Sequence, residues 1–248
     1  MAKFRPELQN LEARDVPSAT IGAQGTLVVT GTDQADTIRV YAPADQAGKI
    51  AVTETTAGVT TTKLFDKAAI SNVVIKANNG ADYVRNETAF RSLIFGGSGA
   101  DTIWGGTNTD FIFGGEGNDR IYGNSGNDFL DGGLGDDELR GMDGIDTLLG
   151  RLGNDTLKGG AGNDRLVGGQ GSDKLEGGTG YDWIIGTSTG DSIIGGVRED
   201  VIRPGANRDA IANTMRDYLL QEGEKLDVLK GNPKLFFARV SLALTRQI

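Results

Sequence analysis

Residues 96–203 read GGSGADTIW, GGTNTDFIF, GGEGNDRIY, GNSGNDFLD, GGLGDDELR, GMDGIDTLL, GRLGNDTLK, GGAGNDRLV, GGQGSDKLE, GGTGYDWII, GTSTGDSII and GGVREDVIR, twelve nonads in unbroken succession. A fixed period outranks local propensity, because it means one supersecondary unit stacked on copies of itself. Position one is Gly throughout and position eight is Ile or Leu, from Ile103 to Ile202. Position six is Asp throughout: Asp101, Asp110, Asp119, Asp128, Asp137, Asp146, Asp155, Asp164, Asp173, Asp182, Asp191 and Asp200. Glycines at positions one, two and four are expected to permit positive φ, so that the first six residues curl tightly. The last three then form a very short strand whose central Ile or Leu faces inward.

Each turn reverses the chain, so two nonads make one ring, and rings stack as parallel sheet about 4.8 Å apart. The fold class expected is therefore all-β, a parallel β-roll or β-solenoid. Aspartates two nonads apart become neighbours along an edge, and a column of carboxylates at that spacing repels itself unless cations lie between. Carboxylate and carbonyl oxygens, with no sulfur or imidazole, suit Ca²⁺; Mg²⁺ demands a tighter octahedron. Charge agrees: residues 96–203 hold 19 acidic and 8 basic residues, whereas residues 1–95 hold 10 of each.

Composition excludes much else. The 248 residues contain 39 Gly, no Cys and no His, which removes disulfides, thiolate zinc sites and nucleophiles paired with histidine. A net charge of −9 argues against nucleic acid. No stretch of about eighteen apolar residues would span a membrane. The opening MAKFRPELQNLEARDVPSAT lacks the apolar middle of a cleavable signal peptide, so export would use another signal.

The nonads resemble the RTX, or haemolysin-type, calcium-binding repeats. That resemblance implies Ca²⁺ held between neighbouring turns of one edge and secretion into a calcium-rich exterior. It makes the twelve position-six aspartates side-chain ligands. Turn carbonyls would supply the rest, notably at Gly97, Gly99, Gly115, Gly117, Gly133, Gly135, Gly160, Gly162, Gly169, Gly171, Gly178 and Gly180. Two edges of six turns offer ten gaps and hence at most about ten ions. Several turns depart from the pattern, with Asn108 at position four, Met142 and Arg151 at position two, and Thr187, Thr189 and Arg198 near the end. Arg and Thr tolerate positive φ poorly. The tightest sites are therefore expected between 114–119 and 132–137 and between 159–164 and 177–182, with the weakest at the C-terminal end.

The flanks are read as a possible disordered arm over 1–24, a β-rich opening or capping segment over 25–95, and a helical C-terminal cap or export segment over 204–248. Strand patterns TLVVT, TIRVY, KIAVTET, VTTTKLF and NVVIKA fill 25–95, and two degenerate nonads, GTDQADTIR (31–39) and ANNGADYVR (77–85), lie among them. A separate small β-domain is the alternative. DAIANTMRDYLLQ places Ile211, Met215, Tyr218 and Leu219 at helical spacing. Outward positions hold Trp104, Phe111, Phe113, Tyr122, Phe129, Trp183, Ile185, Ile194 and Val201, either a partner face or surface covered by the flanks. The function expected is a secreted or cell-surface calcium-binding structural or adhesive module, not an enzyme, with a cell-surface or polysaccharide partner conceivable. The alternative is an accessory or catalytic module of a polysaccharide-modifying enzyme.

Overall fold

The computed structural model describes residues 17–197 and 200–203, together with the backbone of strands Ala210–Ala212 and Tyr218–Leu219. The chain is an all-β parallel solenoid. Seven strands precede the repeat and an eighth runs into it: β1 (Ser18–Ile21), β2 (Thr26–Thr30), β3 (Asp36–Tyr41), β4 (Lys49–Thr56), β5 (Val59–Asp66), β6 (Asn72–Asn79), β7 (Tyr83–Asn86) and β8 (Ser92–Ser98). The described strands form two sheets of eleven. Sheet I runs β1, β2, β6, β8 and then the strands of the even-numbered nonads; sheet II runs β5, β4, β3, β7 and then those of the odd-numbered nonads.

Register along the roll follows the period. Ile103, Ile121, Leu139, Leu157, Leu175 and Ile193 stand in line on sheet II, and Ile94, Ile112, Leu130, Leu148, Leu166, Ile184 and Ile202 on sheet I. All are 0–2% exposed, and the two lines meet as one core that continues into Leu27, Val29, Ile38, Val40, Val73 and Ile75. Each such side chain contributes about 1.5–3 kcal/mol by leaving water.

Most strands of the repeat are longer than three residues, although Thr102–Trp104, Trp183–Ile185 and Val201–Arg203 are not. Arg120–Ser125, for example, covers positions seven to nine of one nonad and one to three of the next. The ladder hydrogen bonds thus carry on into the turn, because position two pairs with position two of the neighbouring ring, as Gly97 does with Gly115.

The first strand, β1, lies within the stretch read as an arm; it pairs antiparallel with β2 and buries Ala19. Two further antiparallel pairings, β3 with β4 and β4 with β5, close the N-terminal end of sheet II. The helix expected after Pro204 lies outside the described residues except for two pieces, and these are strands. Ala210–Ala212 pairs parallel with Ser192–Ile194, and Tyr218–Leu219 with Val201–Ile202. Ile211 stands nine residues after Ile202, so the nonad period prevails there over the helical spacing.

Candidate metal centre

The turns lie along two edges. Turns 96–101, 114–119, 132–137, 150–155, 168–173 and 186–191 share the first edge, and 105–110, 123–128, 141–146, 159–164, 177–182 and 195–200 the second. The flanking turns 31–36 and 77–82 continue the first edge, since β3, β7 and the strand Thr102–Trp104 are successive neighbours.

Every position-six aspartate is 0–3% exposed. Its carboxylate folds back over the first glycine of its own nonad: a Cβ on Gly96 would lie 2.4 Å from Asp101 Oδ2, and one on Gly114 2.3 Å from Asp119 Oδ2. This corrects the sequence argument. Positive φ is found at positions two and four, and position one is glycine because the carboxylate occupies the space of its side chain.

The carboxylates are also tied together. The N–H of Asp101 donates to Asp119 Oδ1, that of Asp119 to Asp137 Oδ1 and that of Asp110 to Asp128 Oδ1, each at 2.8 Å. The pattern persists to Asp182 and Asp200 at 2.9 Å. One oxygen of each aspartate therefore stitches successive rings. The other is left over: Oδ2 of Asp101, Asp119, Asp137, Asp155 and Asp173 on the first edge, and of Asp128, Asp146 and Asp164 on the second, is buried without a hydrogen-bond partner. A buried oxygen bearing negative charge and no partner is costly unless it is neutralised.

Burial accordingly raises these acids. It pushes Asp119, Asp128 and Asp155 up to about 7, against the amide bond to Oδ1 and with help from neighbouring carboxylates. Asp101, Asp137, Asp146 and Asp164 rise to about 6 for the same leading reason.

Carbonyl oxygens line the gaps between turns. Gly97 O and Gly99 O lie 2.0 and 2.1 Å from where a Cβ would stand on Gly115 and Gly117, so each ring's turn carbonyls press against the bare Cα atoms of the next. Gly115 O and Gly117 O meet Gly133 and Gly135 alike, and Gly160 O and Gly162 O meet Gly178 and Gly180.

Two local exceptions are informative. In GGTNTD (105–110) neither Gly106 nor Asn108 has positive φ, and the Gly106 N–H donates to Asp110 Oδ2 at 2.5 Å. The turn caps its own carboxylate. In GTSTGD (186–191) the Thr187 hydroxyl donates to Gly169 O and the Ser188 hydroxyl to Gly171 O, two carbonyls expected to face a cation. By contrast Met142 and Arg151 do adopt positive φ, at 81° and 85°, so these substitutions leave the turn intact. Arg151 is anchored from outside by Asp131, with Nη2 to Oδ2 at 2.6 Å.

The degenerate nonad 77–85 was legible in the sequence, but its Asp82 was not counted among the ligands, although its environment matches that of the repeat aspartates.

In a comparison with family models, the RTX calcium-binding nonapeptide repeat matches in four copies, at residues 88–121, 104–139, 140–175 and 167–202. A comparison with curated proteins returns no match.

Proposed function

We propose, from the premise that residues 88–202 belong to the RTX calcium-binding nonapeptide repeat family, that this chain is a secreted structural or adhesive module whose roll forms as Ca²⁺ enters the gaps between its turns. The observation that carries this reading is the row of buried Asp Oδ2 atoms with no hydrogen-bond partner. Hard anionic oxygens beside uncharged carbonyls form a donor set suited to Ca²⁺. A cation there supplies the neutralisation that the amide ladder, which satisfies only Oδ1, leaves undone.

The ligands in this reading are Asp101, Asp119, Asp137, Asp155 and Asp173 on the first edge and Asp128, Asp146 and Asp164 on the second, with the position-two and position-four carbonyls beside them. Asp110 is left out, because its Oδ2 already holds the Gly106 amide. The gap between 168–173 and 186–191 is left out too, since hydroxyls cover its carbonyls.

Extracellular calcium-binding modules in general bind Ca²⁺ at about 10⁻⁴ to 10⁻³ M, and sites in that range would favour a chain that folds after export. Among the described residues no helix is long and apolar enough to cross a membrane. For adhesion, the outer face of sheet I offers Leu93, Phe95, Phe111, Phe113 and Phe129 on adjoining strands, with the Phe95 and Phe113 rings 5.4 Å apart.

Far-ultraviolet circular dichroism of the purified chain, with calcium and then with excess chelator, tests the proposal. We expect a β spectrum that collapses on chelation and returns on adding Ca²⁺. An unchanged spectrum and melting temperature after complete metal removal would overturn it.

A further inference from the structure

The matched repeats begin at residue 88, and the unbroken nonads at Gly96. We infer that the calcium array begins one ring earlier, with a site between turns 77–82 and 96–101 that uses the Asp82 carboxylate and the carbonyls of Asn78 and Gly80. This rests on the reading above and extends it to a degenerate nonad that lies outside both the matched repeats and the unbroken run.

Four observations converge on ANNGAD (77–82). Asp82 is 2% exposed, and its Oδ2 is buried without a hydrogen-bond partner. Its Oδ1 accepts the Asp36 N–H at 2.7 Å, while the Asp82 N–H donates to Asp101 Oδ1 at 2.8 Å, so it is a full member of the aspartate ladder. Asn78 and Gly80 have φ of 77° and 127°, within the ranges found at positions two and four of the repeat turns. Their carbonyl oxygens lie 1.7 and 1.8 Å from a Cβ placed on Gly97 and Gly99, the arrangement that Gly97 O and Gly99 O present to the following ring.

The preceding turn, GTDQAD (31–36), differs on each count. Its Asp36 Oδ2 accepts the Thr32 N–H at 2.5 Å and the Thr32 hydroxyl at 3.0 Å. Asn78 Nδ2 donates across that gap to Gly31 O at 2.9 Å. Amide and hydroxyl donors thus take the place of a cation between 31–36 and 77–82, and the array starts on the far side of Asp82. On the second edge the same ring offers Ser92 in place of an aspartate, with its hydroxyl donating to Asp110 Oδ1 at 2.6 Å, so the additional site stands on the first edge alone.

The site is set out of step with the unbroken repeat by one residue. Tyr83 pairs with Thr102 at a separation of nineteen, where the repeat requires eighteen.

Calcium bound per chain, measured by elemental analysis after equilibrium dialysis in calcium, tests the inference on the full-length protein. Asp82→Asn is expected to lower the count by one, with the β spectrum retained. Asp119→Asn, inside the matched repeats, is expected to lower it by at least one. An unchanged count for Asp82→Asn beside a lowered count for Asp119→Asn overturns the Asp82 site and leaves the proposed function standing. An unchanged count for both, or no bound calcium in the parent chain, overturns the proposed function itself. Should Asp82→Asn fail to fold, anomalous scattering from a crystal of the calcium-loaded parent decides. A peak between 77–82 and 96–101 supports the site, and its absence beside a peak between 96–101 and 114–119 removes it.

Discussion

Acid should do part of the work of calcium. In the cation-free roll, burial lifts Asp82, Asp119, Asp128 and Asp155 from 3.8 to about 7, and Asp101, Asp110, Asp137, Asp146 and Asp164 to about 6. A folded-state pKa raised above the unfolded value means that the folded chain binds more protons between the two, so stability falls as pH rises through that window. At about 1.4 kcal/mol per unit, each carboxyl costs the metal-free fold on the order of 3–4 kcal/mol once ionised. Several such groups together exceed the roughly 5–15 kcal/mol that holds an ordinary domain. Chain dialysed free of calcium is therefore expected to lack the roll at pH 8 and to regain β signal as pH falls through 7 to about 5. With calcium present, protons and metal compete for the same oxygens, so the calcium midpoint should rise as pH drops below about 7. Circular dichroism followed from pH 8 to 5, with sedimentation to exclude aggregation near the sequence pI of 4.6, is the assay. A metal-free β signal that stays constant across this range, or declines on acidification, would refute the reasoning.

Gly117→Ala places a Cβ 2.1 Å from Gly99 O, and we expect a lowered melting temperature in calcium together with a raised calcium midpoint. Asp110→Asn should leave the calcium count unchanged, read by elemental analysis after dialysis in calcium, because Asp110 Oδ2 already holds the Gly106 amide. Leu139→Ala empties one place in a fully buried row and should cost about 2–5 kcal/mol without changing the number of ions bound. Hydrogen exchange of the full chain without calcium at pH 8 should show residual protection in β2, β3, β4 and β6, whose core is Leu27, Val29, Ile38, Val40, Val52, Val73 and Ile75, and rapid exchange over 114–185.

The roll was legible in the sequence because its three invariant columns each have a spatial meaning. The eighth residue is the core and the sixth is the edge. The first, however, is glycine for a reason visible only in three dimensions: it leaves room for the carboxylate five residues on. Periodicity also could not say which aspartates keep an oxygen to spare. Asn108 announced a departure from pattern, but the turn's collapse onto Asp110 Oδ2 depends on how its backbone closes. Conversely, Arg151 and Met142 looked disruptive by propensity, yet the ladder on either side holds them at positive φ. Tertiary pairing overrode local preference there, as it did where Ala210–Ala212 and Tyr218–Leu219 continue the sheets in a stretch spaced like a helix.

One inner position, followed along sheet I, shows how the two parts of the molecule join. Register pairs Leu27 with Val73, Val73 with Ser92, Ser92 with Asp110, and the aspartates follow from there. The same place is thus filled first by hydrocarbon, then by a hydroxyl, then by a carboxylate that its own turn satisfies, and then by carboxylates with an oxygen to spare. Sheet II makes the passage through Asp36, whose carboxylate is held by Thr32 and Thr56. Apolar filling needs no cofactor, whereas a buried carboxylate needs a proton or a cation. The N-terminal rings therefore have the means to stand before calcium arrives and to present β7 and β8 as finished edges, on which each later ring adds its ladder bonds as its own ion binds.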